Sequence, residues 1–202
     1  ISLLMLLAFA GFSWLAWRKL AIVLALQPEV RWDRPAERLK SVLVNGLLQQ
    51  RMIQREWRPG LMHAAIFLGF MSLLLRKLQL IAIGYSESAT FPEVLGPFAA
   101  VKDGIELVVV AAVLYAFYRR FVVRPPRLEP NREAVLVLSL ILTIMVTDFL
   151  FDGFRFTLLS ERVAGIGHER AYAFGGDAVA NLFSGLPPTL LTVGYVLSYW
   201  VQ

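Results

Sequence analysis

The sequence predicts an all-α integral membrane protein, with five transmembrane helices, the fifth cut short, and one amphipathic helix lying in the interface. Three observations carry that prediction. Of the 202 residues, 57% are hydrophobic and only 17% charged. The apolar residues fall in runs too long for core helices of a soluble domain, and these runs lack a polar face. Lysine and arginine gather in alternate loops, as they do around membrane spans.

The first run, residues 1–26, ends its polar transition at Trp14, Trp17, Arg18 and Lys19, where amphipathic rings and cations settle at headgroups. It is too long for a signal-peptide core, and no small-residue cleavage site follows it. A polar stretch with Pro28 and Pro35 comes next. Over residues 36–57 the pattern changes. Leu39, Leu43, Leu47, Ile53 and Trp57 recur at helical spacing, with Lys40, Gln50, Arg51, Gln54 and Arg55 on the other side. An amphipathic helix with arginines on its polar face lies in the interface rather than across it. Pro59 and Gly60 end it.

Residues 61–83 form the second span, interrupted late by Arg76 and Lys77. A Gly-, Ser- and Pro-rich loop without Lys or Arg leads to a third span at about 99–123, which closes on Arg119 and Arg120. The turn RPPRLEPNRE, held open by prolines, precedes a fourth span at 134–156. The polar segment 157–186 carries a short helix around Glu161 to Phe174, and a fifth span opens at Pro187. That last run reaches roughly 24 Å at 1.5 Å per residue, short of a hydrocarbon core of about 30 Å. The chain therefore reads as one transmembrane domain, 1–202, within a longer protein.

Orientation follows from the loops. The first holds Arg31, Arg34, Arg38, Lys40, Arg51, Arg55 and Arg58, and the third Arg119, Arg120, Arg124, Arg127 and Arg132. The second holds none and the fourth only Arg162 and Arg170. Positive loops stay cytoplasmic, which puts the amino terminus outside. The same asymmetry accounts for the net charge of +5 without nucleic acid. Cysteine is absent, which excludes disulfides and any iron–sulfur cluster held by this chain alone.

Three groups of residues are candidates for chemistry. His63 lies one turn into the second span, at its cytoplasmic end. An ionisable residue inside a span is a functional candidate, and neutral imidazole is a common axial ligand of haem iron. The plainer reading is a hydrogen bond to a neighbouring helix or to headgroups. His168, in the outer loop GIGHERAY, is too far away to share a haem with it and reads as a solvated loop residue. Arg51, Arg55 and Arg58 stand next to the level of His63, and suit anionic lipid or haem propionates. Asp148, Asp152 and Arg155 share one face of the fourth span at i, i+4 and i+7. Arg76, Lys77, Lys102, Asp103 and Glu106 are expected at the same level. A self-neutralising ion-paired cluster at the outer interface is the plainer reading, and a proton path or quinone headgroup site the sharper one.

The segment RWDRPAERLKSVLVNGLLQQRMIQREWRPGLMHAAIFLGF, residues 31–70, adds a further expectation. Its Arg-rich helix, the pair Gln50-Arg51 and the Pro-Gly before His63 recur in one group of proteins. So do RRFVVRPPRL after the third span and FDGFRF at the end of the fourth. With them, the chain resembles the membrane part of bacterial iron–sulfur oxidoreductases related to heterodisulfide reductase. That group includes membrane-bound electron-transfer flavoprotein:quinone oxidoreductases, and its membrane part is similar to the gamma subunit of respiratory nitrate reductase. The resemblance implies a five-helix cytochrome b-like domain of the bacterial inner membrane, with one or two haems b and His63 as an axial ligand. It further implies a cytoplasmic iron–sulfur region beyond the fifth helix, an electron-transfer flavoprotein-like donor and electron exchange with membrane quinone. The family often has a His after aromatic residues in the fifth span, where this chain has Tyr199-Trp200-Val201 and then Gln202. Two rival readings are a cofactor-free membrane anchor that docks a soluble redox partner, and a small transporter using Asp148, Asp152 and Arg155.

Overall fold

A computed structural model of the chain describes residues 2–26, 34–86, 92–126, 131–163 and 165–202. The described residues are helical, without strands. They form two compact units, 1–46 and 47–202. Pro28, Arg31 and Arg127, cited above for the loops, lie outside the described residues.

The first unit holds α1 (Ser2–Leu24) and α2 (Pro35–Ser41), followed by a π-helical turn that begins at Val42. Pro35 sits in the first turn of α2, where its missing N–H is no loss.

The second unit begins with α3 (Gln50–Arg55) and α4 (Trp57–Ser72). The stretch expected as one interfacial helix over 36–57 is thus three helical pieces, α2, the π turn and α3. Gln49 takes a left-handed backbone conformation, φ 55°, which stops one piece and starts the next. α3 folds back closely enough on α4 that a Cβ at Gly60 would collide with the Met52 carbonyl. Leu73 forms a turn between α4 and α5 (Leu74–Tyr85), three residues before Arg76.

α6 (Pro92–Tyr118) and α7 (Arg132–Leu159) are the two long helices of this unit. At 1.5 Å per residue each exceeds about 40 Å. α6 runs into a π-helical turn, Arg119–Val123, that Arg124 ends at φ 47°. Asn131 caps α7, its side-chain oxygen accepting the Glu133 N–H at 2.8 Å. Instead of one short helix around 161–174, the segment after α7 forms two, α8 (Ile166–Tyr172) and α9 (Phe174–Phe183). The helix breaks between them at Ala173, φ −81° and ψ 79°, which is too short an interruption for the polar composition to announce. α10 (Pro188–Val201) closes the chain.

Among the described residues, three helical stretches are long and apolar enough to cross a membrane: Leu3–Leu24, Trp57–Tyr85 and Arg132–Leu159. α6 has the length but carries Lys102, Asp103 and Glu106, and α10 has only 14 residues.

Packing in the second unit follows from apolar seams. Leu73, Val109, Val113 and Met145 join α4, α6 and α7. Ala99, Phe156, Ile166, Ala173 and Ala180 join α6, α7, α8 and α9. Leu80, Ile83 and Phe151 meet Tyr195 and Tyr199 of α10, with the rings of Phe151 and Tyr195 stacked at 5.1 Å. Glycines allow the closest approaches. A Cβ at Gly69 would strike Val109, and one at Gly153 would strike Val179. Small residues at helix contacts are what membrane packing favours, since lipid tails are as apolar as leucine and only close fit discriminates.

Candidate functional site: a buried charged network and a histidine-lined cleft

Two features of the second unit bear on function, and α6 and α7 build both. The first is a network of charged side chains in its interior. Arg76, Lys102, Asp103, Glu106, Asp148, Asp152, Arg155 and Glu169 are each no more than 1% exposed. Helical spacing explains their convergence. Lys102 and Glu106 lie one turn apart on α6, and Asp148, Asp152 and Arg155 follow one face of α7.

Arg76 organises one half of the network. Its Nε donates to both oxygens of Asp148 at 3.1 Å, its Nη1 to Gln79 Oε1 at 2.7 Å, and its Nη2 to Asp152. The guanidinium also stands 5.5 Å from the centre of the Phe151 ring, a cation–π distance. Gln79 passes the chain on, donating from Nε2 to Glu169 Oε1 at 2.7 Å. Arg155 donates from Nη1 to the other Glu169 oxygen at 2.8 Å. The Nε and Nη2 groups of Arg155 have no hydrogen-bond partner among the described residues.

Lys102 organises the other half. Its Nζ lies 2.8 Å from Asp103, 3.1 Å from Glu106, 3.0 Å from Asp148 and 2.9 Å from Asp152. An ammonium has three protons, so the four carboxyls compete for it. Asp103 has a further task. Its Oδ2 accepts the Gly175 N–H at 2.6 Å and the Gly176 N–H at 3.3 Å, and so anchors the amino-terminal turn of α9.

Among the described residues the network is enclosed by α5 to α9 and brings together five carboxyls and three cations. Lys77 stands at its margin, half-buried, and lines a cavity of about 20 Å³ with Arg76, Glu106 and Asp148. Sequence spacing placed most of these residues at one level. It missed Gln79 and Glu169. The signal for Glu169 lay in α8, where Ile166, Glu169 and Ala173 form the buried stripe and an acid occupies an apolar position.

The second feature is a cleft of about 450 Å³ at the other end of α7. His63 is exposed into it. Met62, Ile66, Ala116, Val137, Leu138 and Ile141 give it apolar walls, and Arg119, Arg120, Asn131 and Glu133 also line it. The cations in this cleft are therefore Arg119 and Arg120. Arg51, Arg55 and Arg58 are exposed and do not line it, and the Arg58 guanidinium stacks 5.1 Å from the Trp57 ring. Arg119 also reaches Glu56 at 3.9 Å, tying the start of α4 to the end of α6.

His168 stands apart from both features. It is exposed on α8, packs over Gly96 and lies 5.2 Å from the Tyr172 ring. Gly96 and Ala116 are 20 residues apart on α6, about 30 Å along the axis, so the two histidines cannot meet at one metal. Among the described residues no group of three or more His, Asp or Glu side chains could hold a metal ion.

The cleft and the network lie at successive levels of α7. Ile141 belongs to the cleft wall and Asp148 to the network, seven residues or about 10 Å apart on α7.

No family model matches the chain, and no solved structure does. Two curated proteins are similar to it. The probable iron–sulfur-binding oxidoreductase FadF of Bacillus subtilis is 26% identical over 198 residues, which cover 95% of this chain and 26% of that protein. The EtfAB:quinone oxidoreductase of Syntrophomonas wolfei is 26% identical over 212 residues, covering 99% of this chain and 29% of that protein. The chain thus spans little more than a quarter of the length of these relatives, both of which are named as oxidoreductases.

Proposed function

We propose that this chain is the haem b-binding membrane domain of a respiratory oxidoreductase, one that passes electrons between a cytoplasmic iron–sulfur or flavoprotein partner and membrane quinone. The observation that carries the reading is His63 in its cleft, an imidazole among apolar walls with Arg119 and Arg120 beside it. The names of the two relatives, one for iron–sulfur binding and one for reaction with quinone, support the electron-transfer part.

The residues present fit a haem with one ligand from this cleft. His63 offers the nitrogen, the apolar walls suit an apolar macrocycle, and the two arginines suit carboxylate groups such as propionates. The bound group would supply one-electron chemistry, while the protein supplies orientation and electrostatics. A second axial ligand would come from outside the described residues or from a partner. Asp148, Asp152 and Arg155, about 10 to 21 Å beyond Ile141 along α7, are the candidates for a quinone headgroup or its protons.

The same reading includes the bilayer. α1, α4 with α5, α6, α7 and α10 are the five spans, in the bacterial inner membrane, with the amino terminus outside and the basic loops inside. Any iron–sulfur cluster belongs to sequence or subunits outside this cysteine-free chain.

A second reading, a cofactor-free anchor docking a soluble redox partner, is favoured by one observation. Arg51, Arg55 and Arg58 are exposed and stand away from the cleft, as a docking face would. One experiment separates the two. In the full-length protein purified with adequate haem supply, a Soret band of haem b is expected, and His63→Ala should abolish it with little change in melting temperature. Haem-free wild-type protein that loses its partner on charge reversal at Arg51, Arg55 and Arg58 overturns the haem reading in favour of the anchor.

A further inference from the structure

The buried network carries more carboxyls than its cations can balance, and the geometry points to where the difference is made up. Beside Glu106 stand Lys102 from its own helix, Asp148 from α7, and Arg76 and Lys77 from α5, and Asp103, Asp152, Arg155 and Glu169 complete the network around them. Five carboxyls against Arg76, Lys102 and Arg155 leave a formal excess of two negative charges, and counting Lys77 at the margin leaves one. An uncompensated charge in a low-dielectric interior is costly enough that the group takes up a proton instead. A single proton brings the network to neutrality, four carboxylates against four cations.

One pair is built to hold it. The Glu106 and Asp148 carboxyls meet the same ammonium, Lys102 Nζ lying 3.1 Å from one and 3.0 Å from the other, and both residues line one cavity. Two carboxylates are acceptors only, so such neighbours repel unless one of them is protonated. Asp148 already faces the Arg76 Nε and the Lys102 Nζ, which hold it ionised. Glu106 shares Lys102 with three other acids and, among the described residues, makes no ion pair to an arginine. The proton therefore belongs on the Glu106 side of the pair.

We propose that Glu106 and Asp148 hold one proton between them and exchange it through water in the adjoining cavity. That cavity, about 20 Å³, is lined by both carboxyls, Arg76 and Lys77, with Phe70 and Leu74 among its apolar walls. About 10–15 Å³ suffices for one water with two to four polar partners, and Arg76, Lys77, Glu106 and Asp148 are the polar residues along this cavity. Of the four charged residues along it, Lys77 is the half-buried one. The shared proton follows from charge and geometry, whereas its use in quinone chemistry rests on the function proposed above.

Infrared spectroscopy of the purified wild-type protein at neutral pH tests this directly. A protonated-carboxyl C=O band is expected, moving on transfer to D2O and again when glutamate carboxyls carry carbon-13. Glu106→Gln should remove the band, and Glu106→Asp should keep it at a shifted position. The glutamate label reads the wild type alone, so the test survives a variant that does not fold. A wild-type spectrum without the band, a band that ignores D2O, or one that persists in Glu106→Gln overturns the proposal. None of these readouts depends on haem or on quinone turnover, so failure of the redox reading would leave them untouched.

Discussion

At the scale of single residues, the chain is governed by what burial does to charge. Arg76 makes four directed contacts inside the second unit, to Asp148, Asp152 and Gln79. Arg76→Ala would leave both aspartates to Lys102, which is already shared among four acids. Removing one partner of a buried ion pair costs about 3–5 kcal/mol, because the other is left buried and uncompensated. Thermal unfolding in detergent should therefore show Arg76→Ala far less stable than wild type. A change within about 0.5 kcal/mol, the range of ordinary surface substitutions, would mean that the network does not stabilise the fold. Residue identity in the sequence revealed these groups, since eight charged side chains among apolar runs are conspicuous. Their partners were less visible. Spacing could place Asp148, Asp152 and Arg155 on one face, but it could not show that Arg155 pairs with Glu169 rather than with Asp152.

Among the elements, fit matters more than apolar area. Where helices lie in lipid, burying an apolar side chain against another helix gains little over leaving it in acyl chains, so close packing and polar contacts discriminate. Gly153 shows this. It lets α9 approach α7 so closely that any Cβ would strike Val179. Gly153→Ala is expected to destabilise the protein by about 1–3 kcal/mol, the usual cost of forcing atoms into a packed contact. Denaturation of the detergent-solubilised variant checks this, and an unchanged midpoint would show that α9 can move aside freely. The helices themselves were mostly legible, because length and hydropathy mark α1, α4 with α5, and α7. The breaks were not. Gln49 in a left-handed conformation, the turn at Leu73 and the break at Ala173 each depend on local backbone geometry that the hydrophobic pattern does not encode.

For the whole molecule, the question is which end of each helix faces which side. α7 is 28 residues long, about 42 Å, enough to carry Asn131 and Glu161 to opposite faces of a bilayer. Because the chain has no cysteine, a single introduced cysteine is the one thiol within it, and the unsubstituted protein gives the background labelling to subtract. In intact cells an impermeant thiol reagent should label Glu161→Cys and spare Arg124→Cys. Labelling of both, or the reverse pattern, would overturn the orientation that the basic loops imply.

The sequence by itself determined the helical class, three of the five expected spans as long apolar helices, and the sign of the loops. All of these are local or additive properties: run length, helical period and charge count. It also singled out His63 and the charged face of α7, since each is an anomaly within an apolar run. Only the tertiary structure decided that five carboxyls and three cations meet in one closed network, and that Arg119 and Arg120, rather than the three arginines nearer in sequence, share a cleft with His63. Those outcomes depend on how separate helices rotate and pack, and a helix's own pattern says which face is buried but not which neighbour it is buried against.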